Sequence, residues 1–118
     1  MINFLNKYDV VVVKFPFASS LKYKARPAVI ISNRYYNDNS RGTYIILAIS
    51  SQIDNKLNIE KDIVFWREAN LLKPSILKSS IATIEKDFII EKLGSLLEED
   101  RDRLNRLLDN IYFDGGIV

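Results

Sequence analysis

Two apolar segments of the chain end in polar side chains that together could hold a phosphodiester. Residues 24–31 (KARPAVII) carry Arg26 near their start, and residues 44–52 (YIILAISSQ) end in Ser50, Ser51 and Gln52. If the segments are neighbouring antiparallel strands joined by the turn-rich residues 37–42, Arg26 and Ser50 lie at the same end of the sheet. A guanidinium and a hydroxyl would then meet at a sheet edge, which predicts a phosphate-binding site.

Each of these polar residues also has a purely structural explanation. Arg26 could be an arginine at the end of a loop, with Pro27 starting an edge strand. The hydroxyls and the amide at 50–52 could satisfy backbone groups where a strand leaves the sheet. It is the pairing of the two segments that favours a functional interpretation.

A polar, basic segment with two aromatic side chains precedes the first of these strands. Residues 17–24 show no clear period, so we expect an exposed loop. Phe17 and Tyr23 are candidates for stacking on bases, and Lys22 and Lys24 are either phosphate contacts or solvated surface. Aromatic residues elsewhere are more typical of a core or a dimer interface, namely Phe65, Trp66 and Phe88.

Composition limits the available chemistry. The 118 residues are 47% hydrophobic and 27% charged, which is typical of one globular domain over residues 1–118. No apolar run reaches the roughly 20 residues needed to cross a bilayer, and the first residues do not resemble a signal peptide, so we expect a cytoplasmic protein that does not bind a membrane. The chain contains no cysteine and no histidine. Thiolate catalysis is excluded, and we expect neither a metal site nor a cofactor.

Charge is distributed unevenly along the chain. Residues 1–41 carry seven Lys and Arg against two Asp, whereas residues 85–118 carry five basic and nine acidic side chains. If the N-terminal charges share a face, a polyanion would bind there. Ordinary solvated surface explains the same charges.

Hydrophobic periodicity predicts several short strands followed by one helix. Apolar positions from 95 to 111 recur at spacings of three, four and seven, and Ser95 and Glu98 have the spacing of a capping box. The elements combine into an α+β, mostly antiparallel small barrel with a C-terminal amphipathic helix packed across it. The predicted strands are 8–15, 26–32, 43–50, 62–66, 80–84 and 93–96, with a turn at 72–75 and a helical turn within 85–92.

The order of these elements resembles the MazF/PemK family of toxin endoribonucleases from type II toxin–antitoxin systems. The resemblance covers nearly the whole chain and rests on motifs that are specific only in combination. They are YDVVVV at 8–13, FPF at 15–17, RPAVI at 26–30, AISSQ at 48–52, LLKPS at 71–75, IATIEK at 81–86 and KLGSL at 92–96.

The resemblance implies an SH3-like barrel, a homodimer and metal-independent cleavage of single-stranded RNA within short motifs. The products would carry 2′,3′-cyclic phosphate and 5′-hydroxyl ends, and cleavage would inhibit translation. The family's catalytic arginine falls on Arg26, and its strand-end hydroxyl, usually threonine, falls on Ser50. Tyr8 stands where the family often has a glycine.

The same resemblance suggests which residues bind RNA and which partners to expect. Arg26 would stabilise phosphate charge and Ser50 would orient the phosphate or the 2′-hydroxyl. A cognate antitoxin would cover the same groove, and DNA binding is expected of the toxin–antitoxin complex. The candidate RNA-binding residues are Phe17, Lys22 and Lys24 on one wall and Ser51, Gln52, Lys78 and Ser80 on the other.

Two other functions are compatible with the same fold. One is a CcdB-like toxin that traps DNA gyrase without cleaving nucleic acid, and the other is a catalytically silent RNA-binding barrel. The Arg26 and Ser50 pair and the basic N-terminal third favour the ribonuclease.

Overall fold

The structure is a computed structural model that describes residues 4–16 and 23–114. Within these ranges the chain forms six strands, two α-helices and two short 3₁₀ turns. The strands are β1 (Asp9–Pro16), β2 (Tyr23–Ile30), β3 (Thr43–Ser50), β4 (Lys61–Ile63), β5 (Ser75–Glu85) and β6 (Ile89–Ser95). The helices are α1 (Arg34–Asn39) and α2 (Glu98–Tyr112), and the 3₁₀ turns are Ile53–Asn55 and Lys86–Phe88.

The strands form one curled antiparallel sheet in the order β4-β5-β3-β2-β1-β6. The predicted antiparallel pairing of β2 with β3 is confirmed, with Ala28 opposite Ala48. The predicted mostly antiparallel barrel with a closing helix is also confirmed, in the form of a half-barrel with α2 packed across it.

Both faces of the central strands are buried, which explains their nearly continuous apolar sequences. Alternate residues of β1 enter different hydrophobic clusters: Val10 belongs to the first, and Val11 and Val13 belong to the second. The first cluster lies under α2 and includes Val29, Leu47, Ile49, Leu77, Leu96, Leu104 and Leu107. The second lies on the other face and includes Leu5, Ala28, Ile30, Ile46, Ile84 and Ile89. Helix α2 covers one face of these strands and the curled sheet covers the other. The strands therefore lack the alternation of apolar and polar residues that is expected when one face is exposed to solvent.

A fully buried carboxylate joins α2 to the segment after β4. Asp100 accepts hydrogen bonds from the backbone N–H groups of Val64 and Phe65, both at 2.9 Å, and forms an ion pair with Arg103. The predicted strand over 62–66 is wrong beyond Ile63, because these two N–H groups bind a side chain instead of a neighbouring strand.

The predicted capping box at the start of α2 is also wrong. The residue at the N-cap is Leu97, which provides no side-chain hydrogen bond. Ser95 lies in β6, where its hydroxyl donates to the buried carboxylate of Asp9 at 2.5 Å. The spacing of Ser95 and Glu98 is thus coincidental, since strand pairing holds Ser95 in β6, two residues before the N-cap.

Two predicted loops also differ from the observed fold. Three of the six residues of the turn expected at 37–42 belong to α1, which ends at Asn39 and which Asn33 caps by accepting the N–H of Tyr36 at 2.9 Å. Only Arg41 and Gly42 form the tight turn into β3, with φ of 61° and 83°. The last two residues of the loop predicted over 17–24 belong to β2, which begins at Tyr23, and residues 17–22 lie outside the described ranges.

Tyr8 has a φ of 78°, in the left-handed region that favours glycine. Its backbone N–H donates to Ile30 and its carbonyl accepts from Leu96. Its ring lies 4.8 Å from the Arg101 guanidinium, and its hydroxyl bonds to Asn105. These contacts to β2 and α2 stabilise a backbone conformation that is unfavourable for tyrosine.

No helix in the described part of the chain is long and apolar enough to cross a membrane.

Candidate active site

A cleft of about 600 Å³ opens where the ends of several sheet strands meet the segment that follows β4. Arg26 and Pro27 come from β2, and Ser50, Ser51 and Gln52 come from the end of β3. The cleft is therefore built where the sequence predicts polar side chains to converge.

Arg26 and Ser50 line this cleft together. The β2–β3 register ends at Ala28 opposite Ala48, and two residues further along it would place Arg26 across from Ser50. Both residues are half-buried. Strand pairing thus brings a guanidinium and a hydroxyl to one end of the sheet.

The Ser50 hydroxyl has a defined orientation. Its Oγ accepts the backbone N–H of Gln52 at 3.0 Å. A serine hydroxyl has two lone pairs and one proton, so this bond leaves the proton available to donate into the cleft.

Three other residues of the predicted RNA-binding set also line the cleft. Lys24 is exposed on β2, and Ser51 and Gln52 follow β3. Lys78 and Ser80 do not line it: β5 begins at Ser75, which does, and runs away from the cleft before it reaches them. Phe17 and Lys22 lie outside the described residues.

The opposite wall consists of residues that the sequence did not identify as site residues. It comprises Asn70, Leu71, Leu72, Lys73 and Ser75, with Glu91 and Leu93 of β6. The sequence marks the LLKPS motif at 71–75 only through the family resemblance. Glu91 and Leu93 had no local signal, because their position depends on the pairing of β6 with β1.

Close packing holds this wall in place. Asn70 has a φ of 63°, and its side-chain amide donates to the carbonyl of Leu93 at 2.6 Å. A Cβ at Gly94 would lie 3.0 Å from the carbonyl oxygen of Ala69, so glycine is needed for β6 to approach this closely. Leu72 is then left 94% exposed at the rim.

Among the described residues, the cleft lining contains three cations and one carboxylate: Lys24, Arg26, Lys73 and Glu91. Only two of the cations come from the basic N-terminal third of the chain. The other described basic residues of that third are elsewhere, as Arg34 pairs with Asp38 and Lys7 lies over the ring of Tyr8. Within residues 4–16 and 23–114, no three potential metal ligands among Asp and Glu lie together.

Comparison with known protein families assigns the chain. Residues 6–112 match the sequence profile of the PemK-like, MazF-like toxins of type II toxin–antitoxin systems. The chain belongs to this toxin family. No curated protein sequence gives a significant match to it.

Solved structures of MazF-type proteins have the same fold at low sequence identity. An endoribonuclease in complex with its cognate antitoxin, from a mycobacterial species, aligns with a TM-score of 0.69 and 17% identity, over 92% of this chain and 93% of that one. The Mycobacterium tuberculosis toxin MazF-mt6 aligns with a TM-score of 0.68 and 18% identity, over 88% and 95%. A chain of the MazE–MazF complex from Deinococcus radiodurans gives 0.68 and 14%, over 90% and 94%. The MazF-like fold therefore spans nearly the whole chain.

Proposed function

We propose that this MazF-like chain is an endoribonuclease that cleaves single-stranded RNA, with Arg26 and Ser50 as its catalytic residues. The observation that carries the proposal is that both residues line one cleft, which two further cations also line. Membership of the toxin family and the likeness to endoribonuclease structures support it.

The reaction needs no nucleophile from the protein. The 2′-hydroxyl of the RNA attacks the adjacent phosphorus, and the products are a 2′,3′-cyclic phosphate and a 5′-hydroxyl. Negative charge builds on the non-bridging phosphate oxygens during attack, and the planar fork of Arg26 can donate to two of them. The Ser50 hydroxyl, fixed by the Gln52 N–H, donates to the phosphate or the 2′-hydroxyl. One well-placed donor of this kind contributes on the order of 3 kcal/mol to transition-state stabilisation.

Unpaired RNA would follow the cleft between its two walls. Lys24 and Lys73 line the same cleft as the catalytic pair and can each neutralise a neighbouring phosphate. Ser51 and Gln52 offer polar groups to base edges, and the exposed Leu72 offers an apolar surface to a base. Phe17 and Lys22, which precede β2 in sequence, remain candidates for the same role.

The partners follow from the same reasoning. We propose a cytoplasmic homodimer that a cognate antitoxin inhibits by covering the cleft, so that antitoxin and RNA compete for the cations. Support comes from the antitoxin complexes among the structural relatives. DNA binding is expected only of the complex with antitoxin.

The decisive experiment is incubation of the purified protein with a long RNA of mixed sequence in EDTA, followed by mapping of the fragment ends. We expect discrete fragments with 5′-hydroxyl ends, and no fragments with Arg26→Ala. Arg34→Ala serves as the matched control, because Arg34 is exposed on α1 and pairs with Asp38 outside the cleft.

Intact RNA with a folded wild-type protein would contradict the proposal. Retained binding of that RNA would indicate a silent RNA-binding barrel, and loss of both activities would favour a gyrase-binding toxin. Cleavage by a folded Arg26→Ala variant at the wild-type rate would show that the site is elsewhere.

A further inference from the structure

The carboxylate of Glu91 lines the cleft from the edge strand β6, opposite the strand that carries Arg26. We propose that Glu91 is the general base that accepts the proton of the attacking 2′-hydroxyl. The inference rests on the proposed endoribonuclease function and adds to it a catalytic residue that acts on the nucleophile.

Strand register places Glu91 on the same face as the cleft floor. Val12 of β1 pairs with Pro27 on one side and with Glu91 on the other, so the three residues form a row across the sheet. Side chains of directly paired residues share a face, and all three line the cleft. Pro27 and Glu91 are two strand spacings apart, roughly 10 Å between backbones. Arg26 precedes Pro27 on β2 and lines the same cleft, so Glu91 and Arg26 border one cleft from the two strands that flank β1.

Glu91 differs from the three buried carboxylates of the described residues, which all have structural partners. Asp9 binds Ser95 and Lys92, Glu60 binds Ser79, and Asp100 binds the segment after β4. Glu91 is exposed, and among the described residues it accepts no hydrogen bond and forms no ion pair. Its carboxylate is thus available to a substrate.

The cleft chemistry leaves Glu91 as the group suited to accept a proton. Within the part of the chain that the structure describes, the other ionisable side chains that line the cleft are Lys24, Arg26 and Lys73. Arginine stays protonated and cannot act as a base at neutral pH, and an ordinary lysine is also protonated there. Lys92, the neighbour of Glu91 on β6, pairs with Asp9 at 3.3 Å. Since the chain has no histidine, a carboxylate is the natural general base.

The proposed reaction conserves atoms and charge, and water is the only other reactant it needs. The 2′-hydroxyl proton moves to the Glu91 carboxylate as the 2′-oxygen–phosphorus bond forms. The bond from phosphorus to the 5′-oxygen breaks, and the 5′-oxygen takes a proton from solvent. Glu91 then returns its proton to solvent, and both the enzyme and the total charge are unchanged.

The test compares Glu91→Gln with wild type in single-turnover cleavage of a short RNA that contains the mapped motif. We expect the cleavage rate to fall roughly 100-fold or more. Binding of the same RNA with a 2′-deoxy nucleotide at the cleavage site should be retained, because glutamine keeps the shape and removes a negative charge. Glu91→Asp should recover part of the rate, since it restores a carboxylate.

The pH dependence separates a base from a residue that only shapes the cleft. In wild type the single-turnover rate should fall in acid, because a general base acts only in its deprotonated form, and this fall should be absent in Glu91→Gln. Glu85→Gln is the matched control: Glu85 is exposed at the far end of β5, opposite Thr43, and its variant should keep both the rate and the acid fall.

Three results would overturn the inference. A folded Glu91→Gln variant that cleaves at the wild-type rate would show that Glu91 is not the base. A Glu91→Gln variant that cleaves a different RNA motif at the wild-type rate would show that Glu91 recognises a nucleobase instead of accepting a proton. Failure of wild type to cleave any RNA would overturn the proposed function as well. This outcome differs from the first two because in both of those the wild-type protein cleaves RNA.

Discussion

Arg26 differs from the other cations of the cleft in the geometry of its charged group. Its fork can bond two phosphate oxygens at once, whereas a lysine ammonium acts as a point charge. We therefore expect Arg26→Lys to retain RNA binding but to cleave roughly 10- to 100-fold more slowly in single-turnover assays. Arg34→Lys, outside the cleft, should cleave at the wild-type rate. Equal rates for Arg26→Lys and wild type would mean that only net charge matters at this position.

Ser50 stands where the family usually has threonine, and its orientation is provided by the Gln52 N–H. Threonine would restrict the same hydroxyl through its branched Cβ. We expect Ser50→Thr to cleave at about the wild-type rate and Ser50→Ala to lose about tenfold or more. Both variants should be checked for folding by circular dichroism. Cleavage of RNA by Ser50→Ala at the wild-type rate would show that the Ser50 hydroxyl takes no part in the reaction.

The residues of one wall of the cleft could be predicted, and those of the other could not. Arg26, Ser50 and Gln52 end apolar segments, so their meeting follows from a single strand pairing. Glu91 enters the cleft only through the β1–β6 register, which is interrupted by two irregularities that no local pattern reveals. Asn70 depends on a left-handed conformation that the sequence does not mark.

At the scale of elements, the long apolar strands were predictable and the short polar segments were not. The bounds of β3 are those predicted, because it is a continuous apolar run that is buried on both faces. The strand expected after Asp62 instead becomes a turn, because the distant carboxylate of Asp100 binds its N–H groups. Tertiary hydrogen bonds of this kind override local propensity.

Glu60 links the segment before β4 to β5 through hydrogen bonds and should make the folding stability depend on pH. Burial raises the pKa of this carboxyl, but hydrogen bonds from the N–H groups of Leu57 and Ser79 and from the Ser79 hydroxyl outweigh burial, and the pKa is lowered below its ordinary value of 4.5. A lowered folded-state pKa contributes stability above the unfolded-state value, and this stability is lost as the pH falls through the folded-state pKa.

We expect Glu60→Gln to reduce the free energy of unfolding at neutral pH by about 1–3 kcal/mol, because three part-buried hydrogen bonds lose their charged acceptor. The variant should also lose less stability than wild type when urea unfolding is repeated in acid below the ordinary glutamate pKa. Glu85→Gln, at the exposed end of β5, should behave like wild type in both respects. An identical acid dependence for Glu60→Gln and wild type would contradict this role.

At the scale of the whole molecule, the three cleft cations should set the salt dependence of RNA binding. For single strands, the logarithm of the binding constant falls with the logarithm of salt concentration by about 0.7 per neutralised phosphate, so Lys24, Arg26 and Lys73 predict a slope of about −2. Fluorescence anisotropy with an uncleavable 2′-deoxy-substituted RNA measures it. Lys73→Gln should reduce the slope by about 0.7, and Lys56→Gln should not change it, since Lys56 pairs with Asp62 away from the cleft. A slope near zero would place the RNA elsewhere.

The cleft draws its lining from parts of the chain that are far apart in sequence, from Val12 on β1 to Leu93 on β6. During synthesis on the ribosome, residues 24–52 are made well before the wall that faces them. A growing chain therefore holds Arg26 and Ser50 but has no complete site until β6 has emerged and paired with β1. We therefore expect RNA cleavage by a growing chain only after β6 has left the ribosome.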